Sequence, residues 1–158
     1  MPFRMPKKTG PFFNNIFDKK DKSGTKFKLR FDEYYFSLLA GLVYGKYDQN
    51  AELEDSEFFD DYPNEYSECK EFIAGLLIAT EIQLQGISED DADEMERLMV
   101  EYIDSSSKTL LTSKGEQRLN QYAARGIDVL EEQMSGRPFE LDSFFREYFM
   151  IFQKNEVT

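Results

Sequence analysis

Apolar residues recur every three or four positions through most of the chain, the period of a helix with one buried face. Phe31, Tyr35, Leu38, Leu39, Leu42 and Val43 carry it first, and that helix ends near Gly45. Residues 46–63 break the period and read as an acidic connector ending at Pro63, with one turn around 56–61. A second helix over about 64–85 carries Phe72, Ile73, Leu76, Leu77 and Ile82 and stops at Gly86. It is apolar on most sides through 72–79, which predicts the central, most buried helix. By the same logic Leu76→Asp is expected to be among the most damaging single changes.

Ser88, followed by Glu89, Asp90 and Asp91, opens a third helix whose stripe is Ala92, Met95, Leu98, Met99 and Tyr102. Ser113 and Glu116 have capping-box spacing and start a fourth. Leu119, Tyr122, Ala123, Ile127, Leu130 and Met134 supply its face, and Gly136 lies past its end. The fifth begins near Asp142, with Leu141, Phe144, Phe145, Tyr148, Phe149 and Phe152 as an aromatic stripe. Glycines inside confident helices cost on the order of 1 kcal/mol against alanine, so Gly41, Gly75 and Gly126 predict places where helices approach closely.

The first 24 residues hold three prolines, Asn14, Asn15 and a Lys/Asp tract without sustained period, and read as an arm. Residues 25–31 alternate lysine with Phe27, Leu29 and Phe31, an extended lead-in packing three apolar side chains on the body. The expected fold is all-α: a single five-helix orthogonal or bundle-like domain over residues 25–154, preceded by an extended basic arm over 1–24.

Composition supports a packed core, because 41% of residues are hydrophobic and 15 Phe and 9 Tyr are present. Charge adds a division that the hydrophobic pattern does not show. Residues 1–30 hold nine Lys/Arg and two acids, a net +7, while the other 128 residues hold ten bases and 29 acids, a net −19. An acidic body repels nucleic acid and attracts cationic surfaces, whereas the arm does the reverse.

Candidate interaction residues follow from that division. The acids Glu52, Glu54, Asp55, Glu57, Asp60 and Asp61 form the candidate surface for a basic protein partner. Arg4, Lys7, Lys8, Lys19, Lys20 and Lys22 form the candidate surface for an anionic partner. Among these bases stand Phe3, Phe12, Phe13 and Phe17, a mixture that tracks phosphates and stacks on bases in single-strand binders. The −19 body opposes that use, so direct DNA binding is not expected. Packing of the arm on the acidic body is the first alternative, ahead of a protein partner and of nucleic acid.

Catalysis lacks its usual parts. There is no His, so the commonest general base and the Glu-x-x-His pairs of a di-iron bundle are missing. Cys69, the single cysteine, forms no internal disulfide, has no histidine partner and reads as a structural thiol. A calcium loop aligned on Gly24 would put Lys19 and Arg30 at ligand positions, which abolishes it. Acidic clusters at 52–61 and 89–96 read as solvated surface, with a magnesium-dependent enzyme as a third reading behind two interaction readings. No enzyme activity, metal or cofactor is expected. Pro2, Pro6, Gly10 and Pro11 interrupt any signal-peptide core, and the runs 38–44 and 72–79 fall short of the roughly 20 residues that cross a bilayer. A cytoplasmic protein without membrane contact is expected.

Two segments resemble a known family. Residues 36–45 (FSLLAGLVYG), an apolar helix ending at Gly after a Lys/Phe-rich lead-in, resemble the first helix of small proteins associated with prokaryotic DNA-phosphorothioation defence systems. Residues 122–127 (YAARGI), with Leu130, are similar to the Tyr-Ala-x-Gly-Gly helix late in that family. The similarity covers roughly residues 25–46 and 115–150; it departs at Arg125, where the family pattern has Gly, and in the acidic middle. It implies an accessory protein of an antiviral or restriction module, with no catalytic residue carried over. The first expectation is therefore a non-enzymatic interaction protein docking a basic, DNA-handling partner. The rival is an acidic DNA mimic that inhibits a nuclease or restriction enzyme.

Overall fold

Within residues 2–55 and 58–156, which the computed structural model of the chain describes, six α-helices form around one closely packed pair. They are α1 (Thr9–Phe13), α2 (Arg30–Tyr44), α3 (Lys70–Gln85), α4 (Ala92–Tyr102), α5 (Ser113–Gln133) and α6 (Leu141–Glu156). Two 3₁₀ segments, Asn14–Ile16 and Asn64–Cys69, continue α1 and lead into α3. Among the described residues there are no strands, only isolated bridges. The all-α expectation holds.

The pair is α2 and α5, and glycine sets its spacing. A Cβ on Gly126 would stand 1.7 Å from the Ser37 carbonyl oxygen, and one on Gly41 would stand 2.0 Å from that of Tyr122. Backbone meets backbone there, so only hydrogen fits at either position. Leu119, Tyr122, Ala123, Ile127 and Leu130 of α5 are buried, as their spacing predicts, against Tyr34, Leu38 and Ala40 of α2. Gly45 ends α2 in the left-handed conformation (φ 64°), its neighbour Lys46 donating to the Gly41 carbonyl at 3.1 Å.

The extended arm is corrected by the structure. Phe3, Met5, Phe12, Phe13 and Ile16 are all buried. Phe3 packs edge-on against Phe31, Tyr34 and Tyr62 at centroid distances of 5.1, 5.6 and 4.9 Å, and Phe13 meets Phe144 of α6 at 5.2 Å. The sixth helix, α1, arises inside this segment. Its Pro11 sits in the first turn, where the missing N–H has no intrahelical acceptor to lose. The lead-in behaves as expected: Phe27 and Phe31 are buried and Leu29 half-buried.

The central-helix expectation for residues 72–79 is also corrected. In α3 only Ile73, Ala74, Leu77 and Glu81 are buried, while Phe72 is 55% exposed and Leu76 half-buried. The burial lies instead in α2 and α5, with eight of 15 and ten of 21 residues buried against four of 16 in α3. Ile73 and Leu77, not Leu76, are thus the α3 positions where a charge is most damaging. No helix approaches Gly75, where a Cβ would have open space for 4 Å around it. Two caps shift as well: α4 is capped by Asp91, whose Oδ1 accepts from Glu94 N at 3.1 Å, not by Ser88. In α5 the cap is Thr112, accepting from Gly115 N at 3.0 Å, and Glu116 instead accepts from Thr109 Oγ1 at 2.7 Å.

The glycines give a paired test. Gly126→Ala should destabilise by about 3 kcal/mol or more, because the new methyl overlaps the backbone of α2. Gly75→Ala should stabilise by up to about 1 kcal/mol through helix propensity alone. Urea unfolding midpoints of the two variants check both signs.

Candidate interaction surfaces

The two charged sets singled out from the sequence lie side by side. Residues 3–7 pair antiparallel with the connector, bridged at Phe3 with Phe59 and at Pro6 with Leu53. Lys7 N donates to the Glu52 carbonyl at 2.9 Å, and Glu54 N donates to that of Met5 at 2.8 Å. Arg4 adds its guanidinium, with Nε and Nη2 on the Glu54 carbonyl at 2.9 and 2.7 Å. Asn120 of α5 fixes this ribbon from beneath: it accepts from Arg4 N and from Tyr34 Oη, and donates to the Pro2 carbonyl. Phe3, Phe12 and Phe13 are spent on the core, so they offer no ring face to a base.

Charge on the connector is partly matched from within. Glu52, Glu54, Asp55 and Asp60 are exposed; Arg4 and Lys7 reach the Glu54 and Glu52 carbonyls, and among the described residues no ion pair is seen to any of these four carboxylates. Lys8 pairs with Asp128 at 3.0 Å, which holds its ammonium pKa above the ordinary value. Asp61 pairs with Lys70 at 3.5 Å, and Glu57 lies outside the described residues. Lys19, Lys20 and Lys22 stand apart, exposed on the turn between Phe17 and Phe27. Asp18 and Asp21 accept backbone N–H groups of Lys20 and Gly24 at 2.9 Å each and so shape that turn. The six bases thus form two places, not one.

Two buried carboxylates escaped the sequence reading. Glu33 of α2 is fully buried, with Arg30 Nη1 at 3.1 Å from Oε2. Burial outweighs that guanidinium, and Asp32 and Glu54 add to it, so the Glu33 pKa is pushed up to about 7. Glu81 of α3 is also fully buried; Arg118 Nη1 lies 2.7 Å from it, and Tyr122 Oη and Gln85 Nε2 donate to it at 3.2 and 3.0 Å. Arg118 in turn covers the Tyr47 ring at 3.8 Å. This cluster ties α3 to α5 and is closed to substrate by its own partners. The signal for Glu81 was its position four residues after Leu77, on the inward side of an apolar helix.

The unmatched acid lies elsewhere, on the layer made by α3 and α4. Residues 64–104 carry twelve acids and two bases. Glu65, Glu68, Glu71, Glu89, Asp90, Asp93 and Glu96 are exposed. Arg97 is occupied by Glu94 and Glu101 at 3.0 and 3.1 Å, and Lys114 also reaches Glu101. Between the two helices runs an open apolar groove of about 440 Å³. Gly75, Ile78, Ile82, Met99, Ile103 and Leu110 line it, with Glu71 its one charged lining residue. Phe72, Met99 and Val100 add exposed apolar surface on this layer, at 55, 45 and 71%.

Among the described residues no three Asp, Glu or Cys side chains converge where one metal ion could bind. None of the described helices is long and apolar enough to cross a membrane. Cys69 is half-buried where the 3₁₀ segment meets α3. Compared with protein-family models, curated proteins and solved structures, the chain matches none.

The buried carboxylates generate two predictions. Burial raises the folded-state pKa of Glu33 above its ordinary 4.5, so its protonated form contributes stability that is complete below about pH 4.5 and lost as pH rises through about 7. From about pH 5 to pH 8, wild type should lose on the order of 2–3 kcal/mol more stability than Glu33→Gln, read from urea midpoints across that range. Separately, Arg118→Met leaves Glu81 buried without its cation and should cost about 3–5 kcal/mol. Adding Glu81→Leu should restore much of the loss, a non-additivity that a double-mutant cycle measures.

Proposed function

We propose that this protein is a non-enzymatic accessory protein of a prokaryotic DNA-modification or antiviral defence system, docking a basic, DNA-handling partner through its acidic α3–α4 layer. The observation that carries this is the excess of acid over base in residues 64–104, twelve to two, with eight of the acids (Glu65, Glu68, Glu71, Glu89, Asp90, Asp91, Asp93 and Glu96) exposed beside apolar surface. Acid alone serves solubility, and apolar surface alone is common. Together they match a protein contact with a charged rim and an apolar centre. The connector acids 52–61 play the smaller part, because the apolar groove adjoins α3 and α4 and not the connector. Resemblance of residues 36–45 and 122–127 to phosphorothioation-associated proteins supplies the defence context. A location in the cytoplasm accords with that context.

The test begins with partner capture from the native host, followed by measurement with the purified pair. Association should weaken as salt rises from about 50 to 200 mM, and replacing Glu89, Asp90, Asp93 and Glu96 by the amides should slow it. The isolated protein should form no duplex-DNA complex tighter than about 10⁻⁷ M at physiological salt. Cognate DNA added to the assembled pair should join it. Stoichiometric expulsion of this protein by DNA would instead make it a DNA mimic occupying the partner's channel.

A further inference from the structure

We infer that the groove between α3 and α4 is a docking site for one amphipathic helix of a partner protein, its apolar face flanked by Lys or Arg. This deepens the proposed function and rests on it for the sign of the partner's charge.

The shape follows from α3. A helix apolar on most sides belongs in an interior, yet the outward face of α3 is open. Its floor is built from small residues, and a Cβ on Gly75 would meet nothing within 4 Å. Ile78, Ile82, Met99 and Ile103 form the walls. From Glu71 to Ile82 the trough runs about 17 Å at helical rise, the length of three helical turns. Two packed helices with no sheet edge between them give an extended peptide no backbone ladder to join. They suit a third helix presenting anchors at i, i+3, i+4 and i+7.

Charge selects the occupant. Glu71 lines the groove, exposed Glu96 stands three residues before Met99, and Asp104 follows Ile103. Lys70 and Lys108 meet near the Leu110 end, with Lys70 Nζ donating to the Lys108 carbonyl at 2.9 Å and its ammonium also paired with Asp61, so the acids remain in excess. A second copy of this chain would bring the same acids against these, on a molecule already at −12. A helix with basic flanks meets them with opposite sign. The other exposed apolar area, around Phe139, Phe149 and Met150, has Lys26, Arg137, Glu140, Asp142 and Arg146 nearby in sequence or on the pocket edge and favours no sign.

The probe is a synthetic Leu/Lys peptide of about 18 residues with its leucines on one helical face, beside a permuted peptide of equal composition without such a face. Fluorescence anisotropy with the full chain should show saturable one-to-one binding of the amphipathic peptide, at least about tenfold tighter than the permuted one. Gly75→Lys puts bulk and a like charge on the groove floor, at a site with room for a side chain. It should keep or raise the melting temperature and weaken the amphipathic peptide about tenfold or more. Replacing Glu71, Glu96 and Asp104 by their amides should flatten the salt dependence of binding. Equal affinity for the two peptides, or indifference to Gly75→Lys, would overturn the groove while leaving acidic docking intact. Failure of both peptides to bind at low salt would overturn the two together. Concentration-dependent dimerisation abolished by Gly75→Lys would assign the groove to a second copy instead.

Discussion

Contact between the backbones of α2 and α5 at Gly41 and Gly126 governs the rest of the fold. With hydrogen at both positions, each helix brings a full row of side chains onto its partner, and the two core clusters grow outward from either side of that seam. On one side Phe31, Tyr34 and Tyr122 gather the N-terminal ribbon, the connector and α3. On the other Ala40, Ile127 and Leu130 receive α1, the lead-in and α6. Widening the seam by one methyl would therefore loosen both clusters at once. Interiors packed at crystal-like density do not absorb such a change locally.

The N-terminal ribbon resolves the charge asymmetry that divides the sequence. A +7 segment ahead of a −19 body looks like an appendage, but most of its binding comes from aromatic burial and backbone pairing. Asn120 illustrates the order of importance. Its amide satisfies the Pro2 carbonyl and accepts from Arg4 N and Tyr34 Oη, positioning the ribbon through neutral hydrogen bonds in a buried place. Surface ion pairs such as Lys8 with Asp128 then add little individually, each about 0–1 kcal/mol. Their effect is on field, not on fold: the ribbon sets bases beside the connector, while residues 64–104 carry twelve acids against two bases.

What was legible in the sequence was whatever repeats locally. The face of α5 and the stop at Gly45 follow from spacing, because each is decided within one or two helical turns. The α2 stripe holds at Phe31, Leu38 and Leu42 but not at exposed Val43, and glycine inside a helix marked the close approach at Gly41 and Gly126 but misled at Gly75. The ribbon was not legible, since a five-residue helix shows no period and its partners lie about 50 and 118 residues away. Its density of phenylalanine was the available signal, because Phe is among the residue types most often fully buried. Cap positions at Asp91 and Thr112 differ from the expected Ser88 and Ser113 because several hydroxyls and carboxylates compete within a few residues, and backbone geometry chooses among them. Composition shows the excess of negative charge, but only the fold shows which acids are taken up by ion pairs, such as Asp61 with Lys70 and Glu81 with Arg118, and which stay exposed.

The misplacement of α3 is the most informative of these differences. Hydrophobicity on all sides of a helix says that it prefers to be covered, not what covers it. Here the inward face is secured by Leu77 and by the Glu81–Arg118 pair, while the outward face meets solvent beside a dense array of acids. Both features oppose the isolated molecule. Exposed apolar surface forgoes about 25 cal/mol for each Å² left in water, and like charges crowded on one layer repel. The fold tolerates them because they sit away from the α2–α5 seam and are attached to it through a buried ion pair and Thr112 at the start of α5. The inward faces of α3 and α4 belong to the core through Ile73, Leu77, Leu98 and Tyr102, so stability and surface chemistry are carried by opposite faces of the same two helices, and only the outward face is free to be shaped by a partner.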